Sequence, residues 1–164
     1  MDLRRLRFGD WVMGFGGLAV LAVMFLDWYE PARTSNGFTA YAPLGGGNPN
    51  AWQSFAVNDV ILALAAVMAI SAFVLTTLQP TAAVPLVLSS LTTLVSILAL
   101  VLVALRLIWP PDVGTGDALE TARLTGAWLG LVATTVLTAG ALASIRDERL
   151  PRPEHPVEPR LVQP

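Results

Sequence analysis

Apolar positions fall in long unbroken runs along this chain. They do not form the one-sided stripes of a soluble helix or the alternation of a half-buried strand. Residues 11–26, "WVMGFGGLAVLAVMFL", carry no charge, and neither does any position from 60 to 105. An uncharged run of that second length exceeds one soluble helix, and in hydrocarbon it makes two spans of about 20 residues each. Punctuation divides the rest. "QP" at Gln79 and Pro80 ends one apolar run, because a proline turns the preceding residue away from helix. Pro85 fits the first turn of the next, where a missing N–H costs nothing. "PP" at Pro110 and Pro111 stops that run, and the last one dissolves into "RDERLPRPEHPVEPRLVQP". The pattern predicts an all-α, four-helix membrane bundle with spans at about 10–28, 55–78, 83–109 and 124–145.

The bundle occupies 10–146. A basic segment, 1–9, precedes it, and a tail, 147–164, follows with a proline at every second to fourth position. That tail has few apolar anchors and is expected to be disordered. The first span is the shortest. Its 16 uncharged residues rise only about 24 Å, so it must recruit flanking residues or thin the bilayer. "MDLRRLR" resembles the start of a signal peptide, but no small-residue cleavage site follows Leu26, so the first span is expected to be retained.

Composition agrees with a lipid setting. Apolar residues make up 54% of the chain and charged ones 13%, about half the charge of an ordinary soluble domain. The distribution of arginine orients the spans. Arg4, Arg5 and Arg7 precede the first, and Arg146, Arg149, Arg152 and Arg160 follow the fourth. Only Arg33, Arg106 and Arg123 fall on the other side. By the positive-inside bias both termini are expected in the cytoplasm of a cell membrane. The long loop after the first span then faces outward. It opens with "DWYEP", passes a turn signal "SNGFT" and a flexible "GGGNPN", and re-enters at "AWQSF", with Ser54 a candidate N-cap. Trp28, Tyr29, Phe38, Tyr41 and Trp52 form either an outward recognition surface or a cap folded over the helix ends.

Within the spans, small and hydroxyl residues stand out. Gly126, Gly130, Thr134 and Thr138 recur at every fourth position of the last span and are expected to form a helix-packing face. Ser89, Thr93 and Ser96, with Thr92, cluster on the third span, where they pack within the monomer or line a polar cavity against Thr134. Lipid offers no hydrophobic drive between helices, so close backbone approach and hydroxyl bonds must hold them together. Asp59 and Arg106 lie about one turn inside the outward ends of the second and third spans, at nearly equal height. They are expected to pair as a structural clamp, with a snorkelling Arg106 or an Arg106–Asp27 pair as the alternatives.

"FLDWYEP", "AWQSFAVNDVILAL" and "TGAWLGLVATTVLTAG" together resemble a group of small four-span membrane proteins of high-GC bacteria. Trp28, Trp52, Gln53, Phe55 and Asp59 match its pattern. The exit from span one in that group often reads Leu-Pro-Trp, and here Asp27 stands in the proline's place. The resemblance implies a fold and a membrane location and no activity.

Chemistry is sparse. There is no cysteine, and His155, the sole histidine, lies in the tail. A two-histidine metal site, a thiolate nucleophile and a Ser-His-Asp triad are therefore excluded within one chain. Phosphate-binding glycine motifs are absent, and a net charge of −2 gives no field for nucleic acid. No catalytic residue and no cofactor are expected. The outward acids Asp27, Glu30, Asp59, Asp112, Asp117 and Glu120 are the one set that could gather around a divalent cation. The leading expectation is a non-enzymatic accessory or scaffold subunit in the lipid bilayer. It would act on a membrane partner or a second copy through its helix faces and outer loop. The alternative is a protein handling a small solute or lipid in a Ser/Thr-lined cavity between spans three and four.

Overall fold

A computed structural model of the protein describes residues 6–30, 48–54, 57–78, 83–110 and 122–148. The elements run α1 (Phe8–Val23), β1 (Tyr29–Glu30), α2 (Ala51–Ser54), α3 (Asn58–Leu78), α4 (Ala83–Ile108), β2 (Ala122–Arg123) and α5 (Thr125–Glu148). Three of them, α3, α4 and α5, are long and apolar enough to cross a membrane, and α1 is a shorter apolar helix. α4 starts at Ala83 and carries Pro85 in its first turn, where a helix needs no amide donor.

The first helix differs most from its expected span of 10–28. It ends at Val23 because the amides of Phe25 and Leu26 turn back to the carbonyls of Ala22 and Val23, the tight three-residue closure that finishes many helices. The chain then bridges Asp27 to Asn50 and pairs Tyr29 with Arg123 and Glu30 with Ala122 in a small antiparallel ribbon. The second span is also shorter than expected. Asn50 and Gln53 form a reciprocal cap, in which the Gln53 amide donates to Asn50 Oδ1 and the Asn50 amide donates to Gln53 Oε1. That cap starts the one-turn α2, and α3 begins afresh at Asn58. Ser54 is therefore no N-cap of the span; its hydroxyl donates to the Asn50 carbonyl. The "SNGFT" turn, Phe38, Tyr41 and the turn at 79–82 lie outside the described residues.

The four apolar helices form an antiparallel ring in the order α1, α3, α4, α5, with α5 closing back on α1 and only slight contact across the α3–α5 diagonal. One end of the ring, here the upper end, gathers the C-termini of α1 and α4 with the N-termini of α3 and α5. The arrangement of sizes is inverted relative to a soluble bundle. Alanines such as Ala65, Ala69, Ala72, Ala99, Ala127 and Ala141 are sealed inside, whereas Leu64, Val67, Leu94, Val101, Val132 and many other large apolar side chains face outward. Small residues inside let the backbones approach closely, which is how helices associate when the surroundings are as apolar as leucine.

Candidate functional site

Two groups of polar contacts organise the bundle, one at each end. At the upper end the four residues Asp27–Glu30 tie three helices together. Trp28 is buried, and its indole N–H donates to the Val23 carbonyl at 2.9 Å, which caps α1. Tyr29 is buried beside it, and its hydroxyl donates to the Arg106 carbonyl near the end of α4 at 3.2 Å. Arg123 adds donors to the carbonyls of Leu107 and Ile108. The backbone of the same stretch receives α5: Leu124 N–H donates to the Trp28 carbonyl and Gly126 N–H to the Asp27 carbonyl. Carbonyls and amides orphaned at three helix ends thus find partners in one short segment, as buried backbone groups must. Burial pushes the Tyr29 phenol up to about 12, against the opposing pull of Arg106 and Arg123. Tyr29 is accordingly a neutral donor at any ordinary pH.

For Trp28 and Tyr29 these contacts replace the outward surface by the cap over the helix ends. Trp28 and Tyr29 are 1% and 0% exposed, so they present nothing to a ligand. Their polar tips are consumed by helix ends and their rings by the core. Trp52 remains partly exposed against Phe25, with ring centroids 6.2 Å apart.

The glycine and threonine face of α5 is divided between two neighbours. A Cβ at Gly126 would press on the Asp27 carbonyl, 2.9 Å from its carbon, and one at Gly130 would stand 2.5 Å from Cζ2 of the Trp28 ring. Those two positions therefore meet the exit of α1. Thr134 and Thr138 are buried too, but Thr138 donates to the Ser96 carbonyl of α4 as well as to the Thr134 carbonyl. Against α1 itself α5 presents other residues. A Cβ at Gly16 would meet the Leu137 backbone, one at Gly140 the Met13 backbone, and one at Gly9 the Ser144 backbone.

Ser89, Thr93 and Ser96 sit on α4, turned inward. All three are buried, and each hydroxyl is spent on protein: Thr93 donates to the Ser89 carbonyl, Ser96 to the Thr93 carbonyl, and Ser89 to the Ser144 hydroxyl. Thr134 likewise donates to the Gly130 carbonyl. Most of these are bonds to backbone one turn earlier, and Ser89 with Ser144 and Thr138 with Ser96 bridge the facing helices α4 and α5.

The lower end holds a group that the hydrophobic pattern leaves at the membrane edge. Asp10, in the first turn of α1, is buried. Its Oδ1 accepts from the Ser144 hydroxyl of α5 at 2.6 Å, and its Oδ2 accepts from the Arg7 amide at 3.0 Å. Ser144 in turn accepts from Ser89 of α4 at 3.2 Å. Asp10, Ser144 and Ser89 thus link three helices, and the carboxylate is satisfied at both oxygens, which is what permits its burial. A carboxylate three residues after an extended N-cap residue, with a serine near the end of the last span, is the only trace of this link in the sequence.

Asp59 directs its Oδ1 to the Val60 amide in the first turn of its own helix, whereas Arg106 meets Tyr29 through its carbonyl. The Asp59 carboxylate is thus used locally, at the start of α3. Among the described residues no group of three or more histidine, cysteine or carboxylate side chains gathers to hold a metal ion; Asp112, Asp117 and Glu120 lie outside them. Comparison with family models, with curated proteins and with solved structures finds no match to this chain.

Proposed function

We propose that the chain is a four-span integral membrane protein with both termini in the cytoplasm, acting as a non-enzymatic scaffold or accessory subunit. The observation that carries this reading is the inverted packing. Alanines, glycines and satisfied hydroxyls line much of the helix contacts inside, while large apolar side chains cover the outside of three helices long enough to cross a membrane. An apolar exterior this extensive is stable only against lipid or another apolar surface. α1 joins the other three as a span by tilting them or thinning the bilayer locally, at a modest cost per ångström of mismatch. The distribution of arginine supports a cytoplasmic lower end.

Scaffolding is favoured over passage of a solute because the hydroxyls that would line a path donate to protein carbonyls instead. The outer helix faces are then the surfaces left for recognition. Membrane retention after alkaline carbonate washing, with reporters fused to either terminus active only in the cytoplasm, is the expected result. Purified protein in liposomes should leave the release of small polar solutes at the protein-free rate. A flux that disappears in Thr138→Val would replace the scaffold by a pathway.

A further inference from the structure

An apolar groove of about 580 Å³ runs along the outside of the α1–α5 seam, within the range of about 300–1,000 Å³ typical of small-ligand sites. Its floor is Gly16 and Ala133, and its walls are Trp11 and Phe15 from α1 and Val132 and Val136 from α5. The groove follows from the packing already described. Gly16 lets the α5 backbone come close, and the large residues flanking that contact stand up on either side. One wall is pre-formed: Trp11 stacks on Phe15 at 5.6 Å and meets the edge of Phe73 at 5.2 Å.

Charge distinguishes the lower mouth. Phe8 lines the groove there, and Arg7 directly precedes it. Arg146 lies two heptads after Val132, which keeps it within about 40° of the same helix face. The close approach of Gly9 to Ser144 brings the two arginine-bearing ends together. A hydrocarbon slot ending in two cations matches one kind of molecule. We propose that the α1–α5 groove binds an anionic phospholipid, its acyl chain along Gly16 and Ala133 and its phosphate between Arg7 and Arg146.

A second copy of the chain fits less well, since a self-pairing contact would set the same arginines near one another. A zwitterionic lipid fills the slot but gains less from the cations. The assignment rests on the membrane reading above, whose own failure would appear as release of the chain by carbonate. The groove is tested separately, on the full chain in mild detergent, by native mass spectrometry with phosphatidylglycerol or phosphatidylcholine of identical acyl chains. One retained phosphatidylglycerol per chain is expected. Arg7→Gln/Arg146→Gln should weaken its retention about thirty-fold, close to that of phosphatidylcholine. Ala19→Trp, which fills the slot from an exposed position, should weaken both lipids. Equal retention of the two lipids by the native chain, or phosphatidylglycerol binding that neither variant weakens, overturns the site. A lipid-free dimer that Ala19→Trp dissociates would give the groove to a second copy and overturn it equally.

Discussion

Replacing Gly130 by alanine adds one methyl group to α5, and the structure specifies where it goes. The new Cβ would press on the Trp28 ring, 2.5 Å from its Cζ2, well inside the contact distance of two carbons. The indole cannot simply slide away. It is 1% exposed, and its N–H is held on the Val23 carbonyl. Overpacking a close-fitted site costs about 1–3 kcal/mol, and swinging the ring off its carbonyl adds about 1 kcal/mol. Alanine returns up to about 1 kcal/mol in helix propensity over glycine. The expected net loss is therefore about 1–3 kcal/mol, read as a lower melting temperature of the detergent-solubilised protein. Trp28→Phe removes the atoms that clash, so the double variant should be more stable than the two single losses predict, by about 1 kcal/mol or more. If Gly130→Ala melts with the native protein, or if the cycle shows no coupling, Trp28 does not fill the space above Gly130 and the account of the upper end is wrong.

Tyr29 gives a pH signature. Its phenol rises from the ordinary value of 10.0 to about 12 in the folded chain, so folding favours the protonated form. That contribution is complete below pH 10 and is lost as pH climbs from 10 to about 12; Tyr29→Phe should flatten this part of the melting profile, and parallel losses in both proteins would exclude the phenol as the cause. Ser144→Ala leaves the buried Asp10 Oδ1 and the Ser89 hydroxyl without the serine they share. A loss of about 1–3 kcal/mol is expected, and a chemical denaturation curve within about 0.3 kcal/mol of the native one would show that water replaces the serine freely.

The helices are legible in the sequence because uncharged length is a coarse, additive signal. The places where legibility fails share a geometric cause. Gly126, Gly130, Thr134 and Thr138 look like one stripe, but a step of four residues overshoots a full turn by about 40°. Over three steps the stripe rotates by about 120°, so its start faces Trp28 and its end faces Ser96. The true α1 seam, through Leu137, Gly140 and Ser144, alternates steps of three and four and follows the axis. The usual preference of Trp and Tyr for interfaces puts Trp28 and Tyr29 at the membrane surface. Their burial depends on carbonyls contributed by distant helix ends, which no local pattern displays. Asp10 escapes notice for the same reason, since its partner on α5 stands 134 residues away in sequence.

That separation has a consequence for how the protein is made. Within this chain α1 leaves the ribosome well before α5, yet its glycine face is shaped for α5. Until α5 arrives, Gly9 and Gly16 lack the backbone they are shaped to meet, and Asp10 waits without Ser144. The shortest apolar helix is thus the one that waits longest for its last partner, with α1, α3 and α4 able to pack on one another before α5 closes the ring. Closure over so long a stretch of chain is slow by its nature. A nascent or truncated chain lacking α5 would expose a carboxylate and a bare glycine face together, a mark by which cellular proteolysis can tell an unfinished bundle from a finished one.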